Sequence, residues 1–196
     1  MVMVDVDPIE VDRRLAAGEL ACPGCGGRLR PWGWARWRRT RGADRDVRHR
    51  PRRASCAGCS RTHVLLPASC LVRRADAAVV IGAALVAKAT GCGHRRIAAG
   101  LGRPESTVRG WLRRFAVRAL EVRGLFTVLL HAVDPLAGPV AVAATVFADA
   151  VEVLGRAAAA AVARLGPRPV WEFVSSATGG RLLAPPSVVA GPGRGW

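Results

Sequence analysis

Two Cys-x-x-Cys pairs constrain this chain more than any other feature of its sequence. Cys22 and Cys25 are separated from Cys56 and Cys59 by thirty intervening residues. Four thiolates carried by two such pairs can meet at the corners of a tetrahedron, the geometry of a structural zinc site. The segment between them is rich in Gly, Pro and Arg, and it has too few aliphatic residues for a core of its own, so metal binding would supply the missing folding free energy. We therefore predict a small β zinc ribbon over residues 21–68 that holds one structural Zn²⁺ through all four cysteines.

The same cysteines leave two other kinds of site open. A redox-active pair lies at the start of a helix in a βαβ unit, whereas "GGRLRPWGW" after Cys25 alternates like a strand. An iron site of the rubredoxin type also uses four cysteines. His63 could replace one cysteine as a ligand, but we expect it to pack or to contact phosphate. Cys70 and Cys92 lack paired partners and are expected to be small buried hydrophobic residues.

A second motif, "HRRIAAGLGRPESTVRGWLRRF" at residues 94–115, has the spacing of a helix-turn-helix. Gly102 falls in the turn, where the backbone needs a positive φ. The positions that must pack the two helices together are small or apolar, at Ile97, Ala98, Leu101, Val108 and Trp111. We predict a DNA-binding helix-turn-helix domain over residues 69–123. An ordinary αα-hairpin is the alternative.

The geometry of such a motif assigns roles to its polar residues. The second helix enters the major groove and presents its first turns to the base edges. This predicts base contacts from Glu105, Ser106, Arg109 and Arg113, with Arg109 the best candidate for a bidentate contact to guanine. Contacts to the DNA backbone are predicted for the flanking residues Arg95, Arg96, Arg103, Thr107 and Arg114, and for arginines of the ribbon, Arg36, Arg38, Arg39 and Arg41.

The charge distribution supports a polyanionic partner. The formal net charge is +16, and it is concentrated in two blocks. Residues 28–61 carry twelve Arg against two Asp, and residues 91–123 carry eight Arg against two Glu, whereas the last 73 residues are almost neutral. Codon bias in a GC-rich genome explains a preference for Arg over Lys but not this clustering. The two blocks therefore indicate a nucleic-acid footprint.

The remaining segments complete a predicted fold that is mainly α with a small β zinc ribbon. Asp7 and Pro8 are typical of a helix start within residues 1–20, and Asp76 is predicted to cap the helix before the helix-turn-helix. Residues 124–180 form a C-terminal helical region, expected to be a dimer interface or a cap on the third helix of the helix-turn-helix, and residues 181–196 a disordered tail. In the ribbon, Trp32 and Trp34 share one face of a strand and are predicted to form its miniature core.

Three stretches, "CPGCGG", "RPRRASCAGCSRTHVLLP" and "GHRRIAAGLGRPESTVRGWLRRF", give the chain a resemblance to known proteins. It resembles the DNA-binding N-terminal parts of insertion-sequence transposases and, more closely, actinobacterial zinc-ribbon plus helix-turn-helix proteins that are associated with transposons. The resemblance covers roughly residues 20–123. It implies DNA binding, with the four cysteines as the zinc ligands. It does not extend to catalysis, because such transposases carry three metal-binding carboxylates on a separate core.

The sequence thus predicts a non-catalytic, sequence-specific protein that binds double-stranded DNA, as a transcriptional regulator or a transposon-associated accessory factor. A homodimer and a transposase are its expected partners, and no apolar run is long enough to span a membrane. We expect it in the cytoplasm, associated with the nucleoid. Two alternatives remain. One is a truncated transposase subunit that uses carboxylates such as Asp149 and Glu152, although we expect these two to be solvated charges on a helix. The other is an RNA-binding ribbon whose tryptophans stack on unpaired bases.

Overall fold

A computed structural model describes residues 1–140 and 143–185 as a mixed α/β structure. The described residues contain six strands, β1 Val2–Val4, β2 Leu29–Trp34, β3 Arg38–Thr40, β4 Val47–His49, β5 Arg52–Cys56 and β6 Thr62–Pro67. They also contain six helices, α1 Pro8–Ala16, α2 Ala78–Ala89, α3 His94–Leu101, α4 Glu105–Val133, α5 Val146–Leu165 and α6 Val170–Ala177. In these residues no helix combines the length and the apolarity that crossing a membrane requires.

The N-terminal helix forms for the local reasons that the sequence predicts. The Asp7 side chain accepts a hydrogen bond of 2.9 Å from the backbone N–H of Ile9, and Pro8 occupies the first helical position. Gly18 adopts a φ of +67° just after the helix. Strand β1 was not predicted, because it is only three residues long and pairs in parallel with β6, far away along the chain.

The strands form a four-stranded sheet in the order β1-β6-β5-β2 and a separate β3-β4 hairpin. Residues 21–68, which we call the four-cysteine module, have too few aliphatic residues for a core of their own, as predicted, and they share one with the preceding segment. Helix α1 and strand β1 lie against the sheet and contribute Val4, Val11 and Leu15 to a small core with Leu29 and Leu65. Apolar residues that precede the cysteines in sequence therefore complete their fold.

The predicted miniature core of Trp32 and Trp34 is wrong. Trp32 is 59% exposed and Trp34 is 43% exposed. The register between β2 and β5 shifts between Pro31 and Trp34, and Gly33 within this irregularity has a φ of +93°. The shift breaks the simple two-residue alternation on which the prediction relied. The module keeps both indoles at its surface.

Helices α2 to α6 enclose the second and larger core. Helix α4 runs without a break through Gly124 and packs along α5, with Phe115 and Phe126 fully buried. Leu182 and Leu183 are buried in the same core, so the predicted disordered tail does not begin at residue 181. The rest of that predicted tail, residues 186–196, lies outside the described residues. Asp76 does not cap α2, whose N-cap is Ala77 without a side-chain hydrogen bond.

Candidate metal centre and basic surface

The two cysteine pairs come together at one end of the sheet. Their four Sγ atoms all lie within 4.8 Å of one another. Cys25 Sγ is 3.4 Å from Cys56 Sγ, and Cys22 Sγ is 3.8 Å from Cys59 Sγ. A tetrahedral ion with metal–sulfur bonds of about 2.3 Å would space its sulfurs about 3.8 Å apart, whereas a disulfide needs about 2.05 Å. The free thiols therefore form a site that could bind a metal ion.

Two similar turns carry these cysteines. Gly26 N donates to Cys22 O at 2.8 Å, and Ser60 N donates to Cys56 O at 3.0 Å. Both donors follow the second cysteine of a pair, and both have a positive φ, +70° at Gly26 and +59° at Ser60. Neither pair lies at the start of a helix, the position that a thioredoxin-like redox pair occupies. The turns instead aim backbone N–H groups at the sulfurs, as the 3.3 Å contact from Gly58 N to Cys56 Sγ shows.

The pKa values of the cysteine thiols differ, because the hydrogen bonds from the backbone and the neighbouring sulfurs act on each of them differently. The N–H groups of Cys59 and then Gly58 lower the pKa of Cys56 to about 6. The N–H of Gly24 is the main cause that lowers the pKa of Cys22. At Cys25 the N–H of Gly27 acts in the same direction, but the sulfurs of Cys56 and Cys59 outweigh it and raise the pKa to about 12. A cation among the four sulfurs would relieve this repulsion, since metal ligands must be thiolates.

His63 lies beside the cysteine cluster rather than completing it. Its ring is buried and its Nε2 is 3.3 Å from Cys22 Sγ. Its Nδ1 is buried without a hydrogen-bond partner among the described residues. The prediction that His63 packs is therefore confirmed. Sequence reasoning missed its contact with a sulfur, because only the pairing of β5 and β6 brings it there.

The two helices of the second motif meet as the sequence predicts. Gly102 caps α3 in the left-handed conformation with a φ of +60°. Ile97, Ala98, Val108 and Trp111 are all buried, each with at most 4% of its surface exposed. A short turn therefore joins two helices through a shared apolar face, and the opposite face of α4 is left to solvent.

The predicted base-contacting residues share that outer face. Ser106, Arg109 and Arg113 are exposed at helical spacing on the first turns of α4. Glu105 is also exposed and lies 3.5 Å from Arg95 Nε. Among the predicted backbone contacts of this region, Arg96 and Arg114 are exposed and Thr107 is half-buried.

Arg103 is not available as the predicted backbone contact. Its Nε donates to Asp76 Oδ1 at 2.7 Å, its Nη2 donates to Gly42 O at 2.7 Å, and its side chain is only 15% exposed. Arg41 Nη2 donates to the other oxygen of the same carboxylate at 2.6 Å. We call Arg41, Asp76 and Arg103 the Asp76 cluster. It fastens the β3-β4 hairpin to the turn between α3 and α4.

The other hairpin arginines remain at the surface. Arg36 and Arg38 are exposed, and Arg39 is 71% exposed although it forms an ion pair with Asp46. Arg41 keeps 38% of its side chain exposed beside Asp76. The β3-β4 hairpin, residues 38–49, therefore presents positive charge next to the start of α4, and we call it the arginine hairpin.

Sequence reasoning found only Arg114 of a second group of arginines. A cleft of about 480 Å³ is lined by Arg73, Arg74, Arg114, Arg118 and Arg181. Burial, together with the charge of Arg114, lowers the pKa of Arg74. Arg73 and Arg74 also line a neighbouring cleft with Arg38 and Arg39 of the arginine hairpin. The spacing of Arg114 and Arg118 on one helix was the only local signal, because the other arginines arrive by tertiary packing.

The carboxylates that a nuclease-like site would need do not converge. Asp149 is buried, accepts a hydrogen bond from Ala143 N and lies 3.9 Å from Arg123 Nε, so it is not the solvated charge we expected. Glu152 is exposed. In residues 1–140 and 143–185 the four cysteines are the one group placed to hold a metal ion.

The prediction that Cys70 and Cys92 are buried holds for Cys70 only. Cys70 is buried, with Thr40 Oγ1 at 3.3 Å from its sulfur, and Cys92 is half-buried against the helical core. No protein-family model, no curated protein and no solved structure matches this chain.

Proposed function

We propose that this is a sequence-specific double-stranded DNA-binding protein without catalytic activity, acting as a transcriptional regulator or a transposon-associated accessory factor. The single observation that carries the proposal is the outer face of α4. Ser106, Arg109 and Arg113 line its first turns, while Val108 and Trp111 anchor the opposite face in the core.

This arrangement suits the major groove. The groove is about 12 Å wide and accepts one α-helix. Residues at i, i+3 and i+7 lie on one side of a helix, so Ser106, Arg109 and Arg113 can face the base edges together. Arg109 lies in the middle of the three and is the residue best placed for a bidentate contact to guanine.

The surrounding positive charge supplies contacts to the DNA backbone. The Asp76 cluster holds the arginine hairpin beside the turn that leads into α4. Arg73 and Arg74, which line both clefts, add charge that the sequence did not predict, and in one cleft they lie beside the predicted Arg114. Such contacts set the register of a protein on DNA and make its affinity fall with salt.

We propose zinc as the ion of the four cysteines, which then form a structural zinc ribbon. Zn²⁺ suits a tetrahedron of four thiolates and has no redox chemistry. Gly27 lies so close to the site that a Cβ there would be 3.1 Å from Cys56 Sγ and 3.3 Å from Cys25 Sγ. The backbone at Gly27 thus lies directly against two of the ligand sulfurs and leaves no room there for a side chain, which suits a closed structural site.

A homodimer fits the exposed part of α4 beyond the proposed reading face. Val117, Leu120 and Val128 are between 66% and 69% exposed and follow one another along the helix. A two-fold dimer through this stripe would place two reading helices on a palindromic site. A transposase partner and a location on the nucleoid follow from the same proposal.

A pair of matched variants tests the proposal. Duplexes bound by the full-length protein are selected from a random pool, and base preferences are then measured for Arg109→Ala and Arg95→Ala. We expect Arg109→Ala to lose preference at one position, by about 1–3 kcal/mol, and Arg95→Ala to weaken all duplexes alike. Identical behaviour of the two variants would contradict the proposed orientation of α4.

A further inference from the structure

A third cleft, which none of the four cysteines lines, lies beside the N-terminal segment and the arginine hairpin. Its volume is about 390 Å³, within the range of about 300–1,000 Å³ that ligand sites occupy. Its walls include Val4, Val11 and Leu65 from the module core, together with Trp34 and Trp37. We call it the tryptophan cleft.

The two tryptophans are exposed in a way that a protein interior does not explain. Trp34 is 43% exposed and Trp37 is 60% exposed. Tryptophan side chains are highly buried on average, so two exposed indoles at one cleft mark a binding surface. Neither indole is needed for the module core, which the aliphatic residues of α1 and β1 already fill.

Each indole is braced by an arginine. The guanidinium of Arg52 lies 4.2 Å from the ring centre of Trp34, and that of Arg48 lies 5.6 Å from the ring centre of Trp37. Arg52 is fixed in turn by Asp12, whose Oδ1 is 2.8 Å from its Nε. These cation–π contacts orient the rings before any ligand arrives, which lowers the entropic cost of binding.

The charge at the cleft selects an anion. Arg48, Arg50 and Arg52 line it together with one acidic residue, Asp5. Because Arg52 is already paired with Asp12, the positive charge offered to a ligand comes from Arg48 and Arg50. Aromatic faces interleaved with arginines are the surface on which bases of a single strand stack while its phosphates contact the cations. A base inside a duplex has both faces covered by its neighbours, so such a site takes an unpaired base.

We propose that the tryptophan cleft binds an unpaired base of single-stranded DNA, stacked on Trp37 and Trp34, with the adjacent phosphates at Arg48 and Arg50. The choice of DNA over RNA rests on the proposed function. The arginine hairpin, which carries Arg48, is fastened by the Asp76 cluster to the turn before α4. A strand opened beside the bound duplex would thus meet the cleft on the same hairpin.

Stacking is tested by comparing oligonucleotides that differ only in their bases. The full-length protein with its metal is titrated, by fluorescence anisotropy, with a thymidine oligomer of about 12 nucleotides and with an abasic oligomer of equal length and charge. We expect the thymidine oligomer to bind about tenfold more tightly. Trp37→Ala should abolish that difference, and Trp37→Phe should retain most of it.

Trp32→Ala is the matched control, because Trp32 is 59% exposed on the same strand as Trp34 and does not line the cleft. It should leave the difference between the two oligomers unchanged. Equal affinities for both oligomers, or equal losses in Trp32→Ala and Trp37→Ala, would overturn the proposal. Tighter binding of the matching RNA oligomer would overturn the assignment to DNA. Duplex binding is measured separately with Arg109→Ala. Failure of the proposed function would therefore appear in the duplex measurement, and failure of the cleft proposal in the oligomer measurement.

Discussion

The four-cysteine module and the helical region solve the problem of stability in different ways. Nine described residues form the small core, and two of them are the metal-site cysteines Cys22 and Cys56. Helices α2 to α6 bury 24 described residues, including Phe115 and Phe126. A small apolar core rarely supplies enough free energy alone, whereas a large one does. We therefore expect the module to depend on the proposed zinc ion for its stability, and the helices to be stable without it.

Removing the metal should have the largest effect, and it should destabilise only the four-cysteine module. A strong zinc chelator should unfold residues 21–68, because the metal can supply about 10 kcal/mol or more of folding free energy. Circular dichroism should keep most of the helical signal, and hydrogen exchange should show which amides lose protection. A module that stays protected without metal would contradict the dependence.

Phe115→Ala should destabilise the helical region and leave the four-cysteine module intact. Phe115 is fully buried and its ring centre lies 4.7 Å from that of Phe147. Truncation should lower the free energy of unfolding of the helical region by about 3–5 kcal/mol. Urea unfolding measures the loss, and the zinc content should stay at one ion per chain. Loss of zinc in this variant would show that the two regions fold as one unit.

Asp76→Ala tests the contact between the arginine hairpin and the helical region. It removes the carboxylate, only 3% exposed, that pairs with Arg41 and Arg103. Breaking such a buried pair should cost about 3 kcal/mol and loosen the arginine hairpin, which hydrogen exchange detects. Asp46→Ala is the control, because its partner Arg39 is 71% exposed, and it should cost less than about 1 kcal/mol. Equal costs would contradict a role for Asp76 as a fastening.

The smallest effect is expected on the surface of α4. The hydrogen bonds from Arg118 lower the pKa of Glu121, whose side chain is 50% exposed. A lowered carboxyl pKa stabilises the fold at neutral pH, and that contribution is lost as the pH falls through the folded-state pKa. Glu121→Gln should therefore cost about 0.5 kcal/mol at pH 7 and nothing at strongly acidic pH. A cost that persists in acid would contradict the ionic origin.

The local features of the fold could be predicted from the sequence. The Asp7 cap, the left-handed Gly102 and the approach of the two cysteine pairs each depend on residues close together or on a rigid spacing. A cap needs one side chain and a neighbouring N–H, and a left-handed turn needs a glycine. The cap and the turn are visible in a short window of sequence, and the metal site in the repeated Cys-x-x-Cys spacing.

The errors arose where distant segments meet. Asp76 resembled a cap but pairs with Arg41 and Arg103, which lie 35 and 27 residues away. Trp32 and Trp34 were placed inside because the irregularity around Gly33 is not visible in an alternating pattern. Aliphatic residues of α1 and β1 took their place in the core. In each case the position of the side chain depends on contacts between distant segments, which local sequence preferences do not reveal.

Hydrogen exchange of the full-length protein, with and without a selected duplex, tests the central claim most directly. The arginine hairpin and the start of α4 form one DNA-binding surface in the proposed complex. We predict slower exchange in residues 36–41 and 105–113 together, with α5 unchanged. Protection of α5, or of only one of those two segments, would contradict a shared surface.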